Sequence, residues 1–168
     1  TNQVMFNCLD SHDTARLLHL AGENKDIAKM ALAFTFMQNG SPCIYYGTEV
    51  GMTGANDPDC RRCMVWEEEK QDLVFLEFTK QLIALRKENQ GILSYGNIEF
   101  NVLENEDKFV GFTRSDENGT IQSYFNKGKN NQIVSATEAV LMSQNVDKTE
   151  NGYVIKEKFR RKGYAFSA

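Results

Sequence analysis

Apolar positions in the first half of the chain alternate between short continuous runs and helical spacing. Residues 3–9 are such a run and predict a short buried strand. Helical spacing begins at Asp26, where Asn24 or Asp26 can cap the first turn, and ends at the stop signal Asn39–Gly40. The next run, "CIYY" at residues 43–46, lacks polar alternation and predicts a strand covered on both faces, as in a parallel sheet. Together these segments predict a strand–helix–strand (βαβ) unit.

Two loops and a second helix complete this half. Residues 10–24 are polar and predict a loop. Residues 47–66 predict a long irregular loop, and such loops inside compact domains often carry function. Helical spacing returns over residues 71–89, with an apolar side and a charged end, including Arg86, that we expect to face solvent.

After Gly91 the spacing of the apolar residues changes from that of a helix to every second position, as in a strand. Turn signals such as Asn118–Gly119 and Lys127–Gly128 separate six short strand candidates. These candidates are "NIEFNVLEN", "KFVGFTRSD", "GTIQSYFNK", "NQIVSA", "GYVIKEKF" and "GYAFSA". Short strands at this spacing predict an antiparallel β-sandwich, so we place a domain boundary near residues 91–95.

Composition and charge narrow the class of protein. The chain has 168 residues, 41% of them hydrophobic, and a formal net charge of −4, which is typical of one globular domain or two small ones. The acidic balance, with one short basic cluster at residues 160–162, argues against a nucleic-acid partner. The absence of a long apolar run argues against a membrane-spanning helix. Because the chain opens with Thr1 directly before a strand-like run, we expect it to be part of a longer protein.

The four cysteines predict plain thiols. Cys8 and Cys43 lie in strand candidates and are expected to be core residues. Cys60 and Cys63 form a C-x-x-C pair, but a zinc site needs a second pair of ligands, and the two histidines of the chain do not supply one at the required spacing. We therefore expect no metal and no cofactor. Unpaired thiols favour a reducing, cytoplasmic location.

Candidate chemistry gathers at the ends of the two predicted strands. Asp10, His12 and Asp13 follow the first strand, and Asp57 and Arg61 lie in the loop after the second. Loops at the carboxyl ends of parallel strands open on the same face, where ligands bind. Carboxylates and guanidinium groups there could hydrogen-bond the hydroxyls of a polyhydroxylated ligand.

A plainer interpretation exists for each group. Asp10 or Asp13 could cap a short helix that begins near Thr14. Asp57 and Arg61, which are four residues apart, could be a surface salt-bridge cluster.

Four segments resemble motifs of one enzyme family. "FNCLDSHDT" resembles the F-x-x-x-x-H-D motif of the α-amylase family of retaining glycoside hydrolases, and "GSPCIYYGTEVGM" resembles the strand that follows it. "GANDPDCRRCMVW" resembles the branch that contains neopullulanase, cyclomaltodextrinase and maltogenic amylase. "LIALRKEN" resembles the last barrel helix of the family. The resemblance covers residues 1 to about 95, and the remainder matches only as a β-rich tail.

The resemblance implies the fold class α/β plus β. The chain would contain the last two βα units of a (β/α)₈ TIM barrel, residues 1–92, followed by an antiparallel β-sandwich domain, residues 93–168. The family's nucleophile and acid/base residues belong to earlier barrel strands, so we name neither here. The chain would be the C-terminal portion of a hydrolase that cleaves α-1,4 bonds in cyclodextrins, pullulan or maltooligosaccharides. We expect the fragment alone to be inactive, and its parent could be a homo-oligomer.

The resemblance also implies roles for individual residues. His12 and Asp13 match the H-D pair, in which Asp13 would stabilise the transition state as a catalytic residue and His12 would bind the same sugar. Asp57 and Arg61 match positions that bind sugar units beyond the cleavage point. We expect structural roles for Tyr45 and Glu49 and favour a packing role over sugar stacking for Trp66.

Two other functions compete with the hydrolase. A non-catalytic carbohydrate-binding module is the main alternative, since it would need neither nucleophile nor acid. A metal phosphohydrolase that uses His12 and Asp13 as ligands is disfavoured, because such a site needs several more ligands.

Overall fold

The computed structural model describes residues 2–104, 108–128, 132–134, 140–143, 146–149, 152–155 and 165–167. The chain divides into two compact units, Thr1–Glu88 and Asn89–Ala168. The predicted domain limits of 1–92 and 93–168 stay a prediction.

The first unit contains the predicted strand–helix–strand order. Strand β1 (Phe6–Cys8) and strand β2 (Ser41–Cys43) are parallel, with Phe6 opposite Ser41 and Cys8 opposite Cys43. Helix α1 (Leu17–Leu20) and helix α2 (Lys25–Phe36) lie between the two strands in sequence. Helix α3 (Leu73–Glu88) ends the unit. Both long helices therefore confirm the helical spacing read from the sequence.

The two strands differ from their prediction. Each is three residues long, so β2 covers only the first residue of "CIYY". Both alternate between exposed and half-buried positions, and Phe6 is 77% exposed. Cys8 and Cys43 are likewise exposed, so the prediction of core cysteines is wrong. The physical reason is that among the described residues β1 and β2 pair only with each other, and no layer covers both faces of a parallel pair.

Of the two predicted caps for the start of α2, Asn24 is the one observed. The side-chain oxygen of Asn24 accepts hydrogen bonds from the backbone N–H groups of Asp26 and Ile27 at 3.0 and 3.2 Å. The helix ends at Phe36, before the predicted stop at Asn39–Gly40, and Gly40 has a positive φ of 86°. The residues before α2 also depart from prediction, because the supposed polar loop 10–24 contains α1, whose Leu17 and Leu18 are buried.

The end of α3 is not a solvated charged end. Arg86 is buried and donates hydrogen bonds to the carbonyl oxygens of Phe36, Gln38 and Gly40. The carbonyl of Phe36 is at the C-terminus of α2, where a helix leaves acceptors without intrahelical donors, and those of Gln38 and Gly40 follow it in the segment before β2. Arg86 therefore joins α3 to α2, while its neighbour Lys87 is exposed as predicted.

The second unit is mainly antiparallel β-structure. It begins with helix α4 (Gln90–Tyr95), which the alternating pattern did not predict. A five-stranded sheet has the order β3-β4-β5-β10-β7, and a three-stranded sheet has the order β6-β9-β8. The strands are β3 (Asn97–Glu104), β4 (Phe109–Asp116), β5 (Gly119–Asn126), β6 (Gln132–Val134), β7 (Val140–Ser143), β8 (Val146–Thr149), β9 (Gly152–Ile155) and β10 (Ala165–Ser167). All six strand candidates contain a strand, and β7 and β8 are additional.

Candidate functional site

Asp10 is a buried structural residue at the start of the first loop. Its Oδ2 atom accepts hydrogen bonds from the backbone N–H of Leu17 at 2.9 Å and from the hydroxyl of Thr48 at 2.7 Å. The first bond satisfies a donor at the start of α1, and the second joins this loop to the segment after β2. Asp10 therefore accepts from the first backbone N–H of α1, but this helix begins at Leu17 rather than near Thr14, and its N-cap residue is Arg16.

A tight polar turn presents His12 and Asp13. The backbone N–H of Ser11 donates to the hydroxyl of Thr14 at 3.0 Å, and the backbone N–H of Asp13 donates to the hydroxyl of Ser11 at 3.1 Å. These bonds satisfy backbone groups with short side chains. The larger side chains of His12 and Asp13 are consequently left exposed, and neither caps α1.

The second loop is folded around Asp59. Its carboxylate accepts hydrogen bonds from the backbone N–H of Ala55 at 2.7 Å and from Nε of Arg62 at 2.7 Å. The Ala55 bond, followed by the bond and the charge of Arg62, lowers the pKa of Asp59. A short 3₁₀ turn, Asp59–Arg61, then buries Cys60 and exposes Arg61. The loop is therefore ordered by its own polar contacts.

The two loops bring all four predicted site residues together. Arg61 lies 2.6 Å from Asp57 (Nε to Oδ1) and 3.6 Å from Asp13 (Nη2 to Oδ1). His12 lies 3.2 Å from Asp13 (Nε2 to Oδ2). Their side chains are between 49% and 70% exposed, so their polar atoms remain open to a ligand. We call these residues the charged cluster: His12, Asp13, Asp57 and Arg61.

Arg16 lies beneath these loops and was missed in the sequence. Its side chain has 0% exposure, and its guanidinium lies 4.2 Å from the ring centre of Tyr45 and 4.5 Å from that of Tyr46. Nε donates to the carbonyl oxygen of Cys60 at 2.7 Å, and Nη1 donates to that of Tyr46. The available signal was an arginine flanked by the apolar residues Ala15 and Leu17 in a loop otherwise predicted to be polar.

Three further residues differ in their surroundings: Tyr45 just before the second loop, and Glu49 and Trp66 within it. Tyr45 packs on Arg16, and burial raises its pKa. Glu49 is half-buried, and its Oε2 atom has no hydrogen-bond partner among the described residues. Trp66 is 79% exposed, so the expected packing role is not seen within the described part of the chain.

An open cavity of about 460 Å³ lies elsewhere in the first unit. Its lining comprises Met5, Asn7, Leu9, Phe34, Thr35, Gln38 and Asn39. It includes no member of the charged cluster, so the candidate site is an exposed rim rather than this cavity.

Two other features are absent from the described residues. They contain no group of three or more His, Cys, Asp or Glu side chains placed to hold a metal ion. No helix in the described ranges has the length and apolar character to cross a membrane.

Comparisons with known proteins identify the family. The family described as "Alpha amylase, catalytic domain" matches residues 1–73. The chain is 50% identical over 137 residues to the intracellular maltogenic amylase of Bacillus subtilis, and the match covers 82% of this chain and 23% of that protein. It is 42% identical over 113 residues to neopullulanase 2 of Thermoactinomyces vulgaris, and that match covers 67% of this chain and 19% of that protein.

A solved structure of a cyclomaltodextrinase matches 99% of this chain and 30% of its own length, with a TM-score of 0.79 and 33% identity. The matches to the two curated relatives cover 23% and 19% of their length, so the chain aligns with only about a fifth of each. The chain belongs to the α-amylase family of glycoside hydrolases.

Proposed function

We propose that this chain is the C-terminal portion of a retaining α-glucan hydrolase that cleaves α-1,4 bonds in cyclodextrins, pullulan or maltooligosaccharides. The observation that carries the proposal is the charged cluster. Asp13, which is paired with His12, lies within ion-pair distance of Arg61, which is paired with Asp57, although the two pairs are more than 40 positions apart in the sequence. The names of the relatives, a maltogenic amylase, a cyclomaltodextrinase and a neopullulanase, support this class of substrate.

Asp13 would act as a catalytic residue in the complete site. Glycoside cleavage passes through a transition state with oxocarbenium character, in which positive charge develops on the sugar ring. A carboxylate that is already fixed beside that charge stabilises the transition state more than the ground state. The Ser11 hydroxyl and the Arg61 guanidinium hold the backbone and the side chain of residue 13, respectively. These two contacts support the assignment of Asp13 as the preorganised charge, and the exposed 3.6 Å contact with Arg61 is the weaker of them.

His12, Asp57 and Arg61 would bind sugar hydroxyls. Asp57 fixes the direction of the Arg61 guanidinium through the 2.6 Å contact with Nε. Because Arg61 and Asp57 are each about half exposed, their remaining donors and acceptors can reach a ligand. Hydrogen bonds with a charged partner contribute about 1.5–3 kcal/mol each, so three such side chains can anchor several hydroxyls.

The remaining expectations are also part of this proposal. The first unit would supply the last two βα units of a (β/α)₈ barrel, and the second would be a β-sandwich. We propose a cytoplasmic location, which is supported by the four free cysteines and by the word "intracellular" in the name of the Bacillus subtilis relative. A homo-oligomeric parent remains a prediction.

The test uses the parent enzyme, meaning the longer protein in which this chain would complete the barrel. Asp13→Asn keeps the size of the side chain and removes its charge, so kcat on a chromogenic maltooligosaccharide should fall by on the order of 10²–10³. Glu77→Gln, which neutralises an exposed carboxylate on α3, is the matched control and should retain kcat. An Asp13→Asn enzyme within threefold of the unmodified parent would refute the assignment.

The isolated chain separates a hydrolase fragment from a binding module. We expect the purified 168 residues to show no turnover of the same substrate. Titration with maltotriose and with β-cyclodextrin tests the alternative, because a true carbohydrate-binding module should bind when isolated. Turnover by the isolated chain would contradict the fragment assignment, and tight binding without turnover would favour the module.

A further inference from the structure

The charged cluster spans two loops that need a fixed separation. Within the charged cluster, Arg61 and Asp13 make the contact between the loops, at 3.6 Å (Nη2 to Oδ1) with both side chains about half exposed or more. An exposed ion pair at this distance contributes little to stability and is weakened by salt. The relative position of the two loops therefore depends on contacts beneath the surface.

Arg16 makes the first of these contacts. It follows the His12–Asp13 turn, yet its buried side chain donates to the carbonyl oxygen of Cys60 in the second loop. Its backbone N–H also donates to the carbonyl oxygen of Gly54 at 2.9 Å, six residues earlier in the same loop. One residue of the first loop thus binds the second loop at two points.

Cys60 completes the connection in the opposite direction. Its thiol is buried and donates to the carbonyl oxygen of His12 at 3.3 Å. Cys60 directly precedes Arg61 in the sequence, so this hydrogen bond ties the backbone of His12 to the residue next to Arg61. We call the Arg16 and Cys60 side chains, with these hydrogen bonds, the Arg16–Cys60 brace.

We propose that Arg16 and Cys60 are positioning residues that hold the Asp57–Arg61 loop at a working distance from His12 and Asp13. The inference rests on the proposed function of the charged cluster and adds two residues that do not touch the substrate. An arginine suits this position because its planar guanidinium donates in two directions while stacking on Tyr45 and Tyr46. A lysine ammonium would supply the charge without this geometry.

Hydrogen exchange of the 168-residue chain tests the brace itself. Cys60→Ala removes the thiol donor, so peptides covering residues 10–16 and 54–62 should exchange at least tenfold faster, while α3 is unchanged. Cys60→Ser keeps a donor and should exchange like the unmodified chain. Cys63→Ala is the matched control, because Cys63 is exposed and lies three residues away. Unchanged exchange in Cys60→Ala would overturn the brace.

Kinetics of the parent enzyme test the positioning role. Cys60→Ala and Arg16→Met should each lower kcat/KM at least tenfold, Cys60→Ser should stay within threefold, and Arg16→Lys should fail to restore activity. In an Arg61→Ala background the effect of Cys60→Ala should largely disappear, because the brace would have less to position. A core variant, Leu82→Ala, gives the activity expected from lost stability alone.

Each contrary outcome is distinct. Faster loop exchange with unchanged kcat/KM would show that the brace holds the loops without serving the reaction, and would overturn the positioning role. The positioning role is likewise overturned if Cys60→Ala loses no more activity than Leu82→Ala. If the proposed function is wrong, Asp13→Asn should keep full kcat. If only the inference is wrong, Asp13→Asn should be strongly impaired while Cys60→Ala and Arg16→Met are not.

Discussion

Replacing Arg86 by Met should strongly destabilise the first unit. The guanidinium donates to three carbonyl oxygens at and just after the end of α2, including that of Gln38 at 3.0 Å. Burial lowers the pKa of Arg86, which reflects the cost of removing this charge from water. Methionine fills a similar volume and keeps the apolar stem, so the substitution removes mainly the hydrogen bonds and the charge at the helix C-terminus.

The magnitude follows from these contacts. Hydrogen bonds to a charged group contribute about 1.5–3 kcal/mol each, so three at the lower limit amount to about 4.5 kcal/mol. Relief of the desolvation cost and partial hydration of the freed carbonyls offset some of this. We therefore expect the free energy of unfolding to fall by about 2–4 kcal/mol.

Urea denaturation followed by circular dichroism at the helical band measures the change, because the two long helices are both in the first unit. Lys87→Met is the matched control. Lys87 is the next residue and is exposed, so its replacement should change stability by less than about 0.5 kcal/mol. Arg86→Lys should fall between the two. Equal unfolding free energies for Arg86→Met and Lys87→Met would refute the reasoning.

Three further predictions concern the loops and a helix cap. Asp72→Ala removes the acceptor for the backbone N–H of Phe75 at the start of α3 and should lower the unfolding free energy by about 1–2 kcal/mol, with Asp72→Asn nearer to the unmodified chain in the same urea assay. Since the pKa of Asp59 is lowered in the folded chain, its contribution to stability is present above the unfolded pKa and is lost as pH falls through the folded pKa. The protection factors of the second-loop amides, which are normalised to the intrinsic exchange rate at each pH, should thus fall at acidic pH, and Asp59→Asn should abolish that fall. Gly54→Ala places a Cβ 2.6 Å from the carbonyl oxygen of Asp59, so the loop must shift and stability should fall by about 1–3 kcal/mol; thermal unfolding indistinguishable from the unmodified chain would contradict this.

Local signals predicted the two long helices, α2 and α3, but not the short helices α1 and α4. The Asn24 cap acts on residues two and three positions away, so the start of α2 depends on chemistry that is visible in the sequence. The burial of a side chain, in contrast, depends on residues that are far from it in the sequence. Phe6 has strand-forming character, but its exposure depends on which layers lie beside β1. Arg86 shows the same limit, because its acceptors lie at least 46 residues earlier in the chain.

The candidate site was likewise predicted only in part from the sequence. The rule that loops at the carboxyl ends of parallel strands share a face predicted that His12 and Asp13 would meet Asp57 and Arg61. The rule does not specify what lies beneath them. Arg16 and Cys60 act through backbone carbonyls, which carry no side-chain signature, so their partners could not be predicted from residue types.

The two aspartates of the first loop, only three positions apart, should diverge in a mutational scan. Asp10 is enclosed by Leu17 and Thr48, whereas Asp13 faces outward. Changes at position 10 should reduce the amount of protein that accumulates, and changes at position 13 should spare abundance while removing turnover. A single measured fitness value would merge these two phenotypes, so abundance and turnover must be scored separately to distinguish a folding requirement from a chemical one.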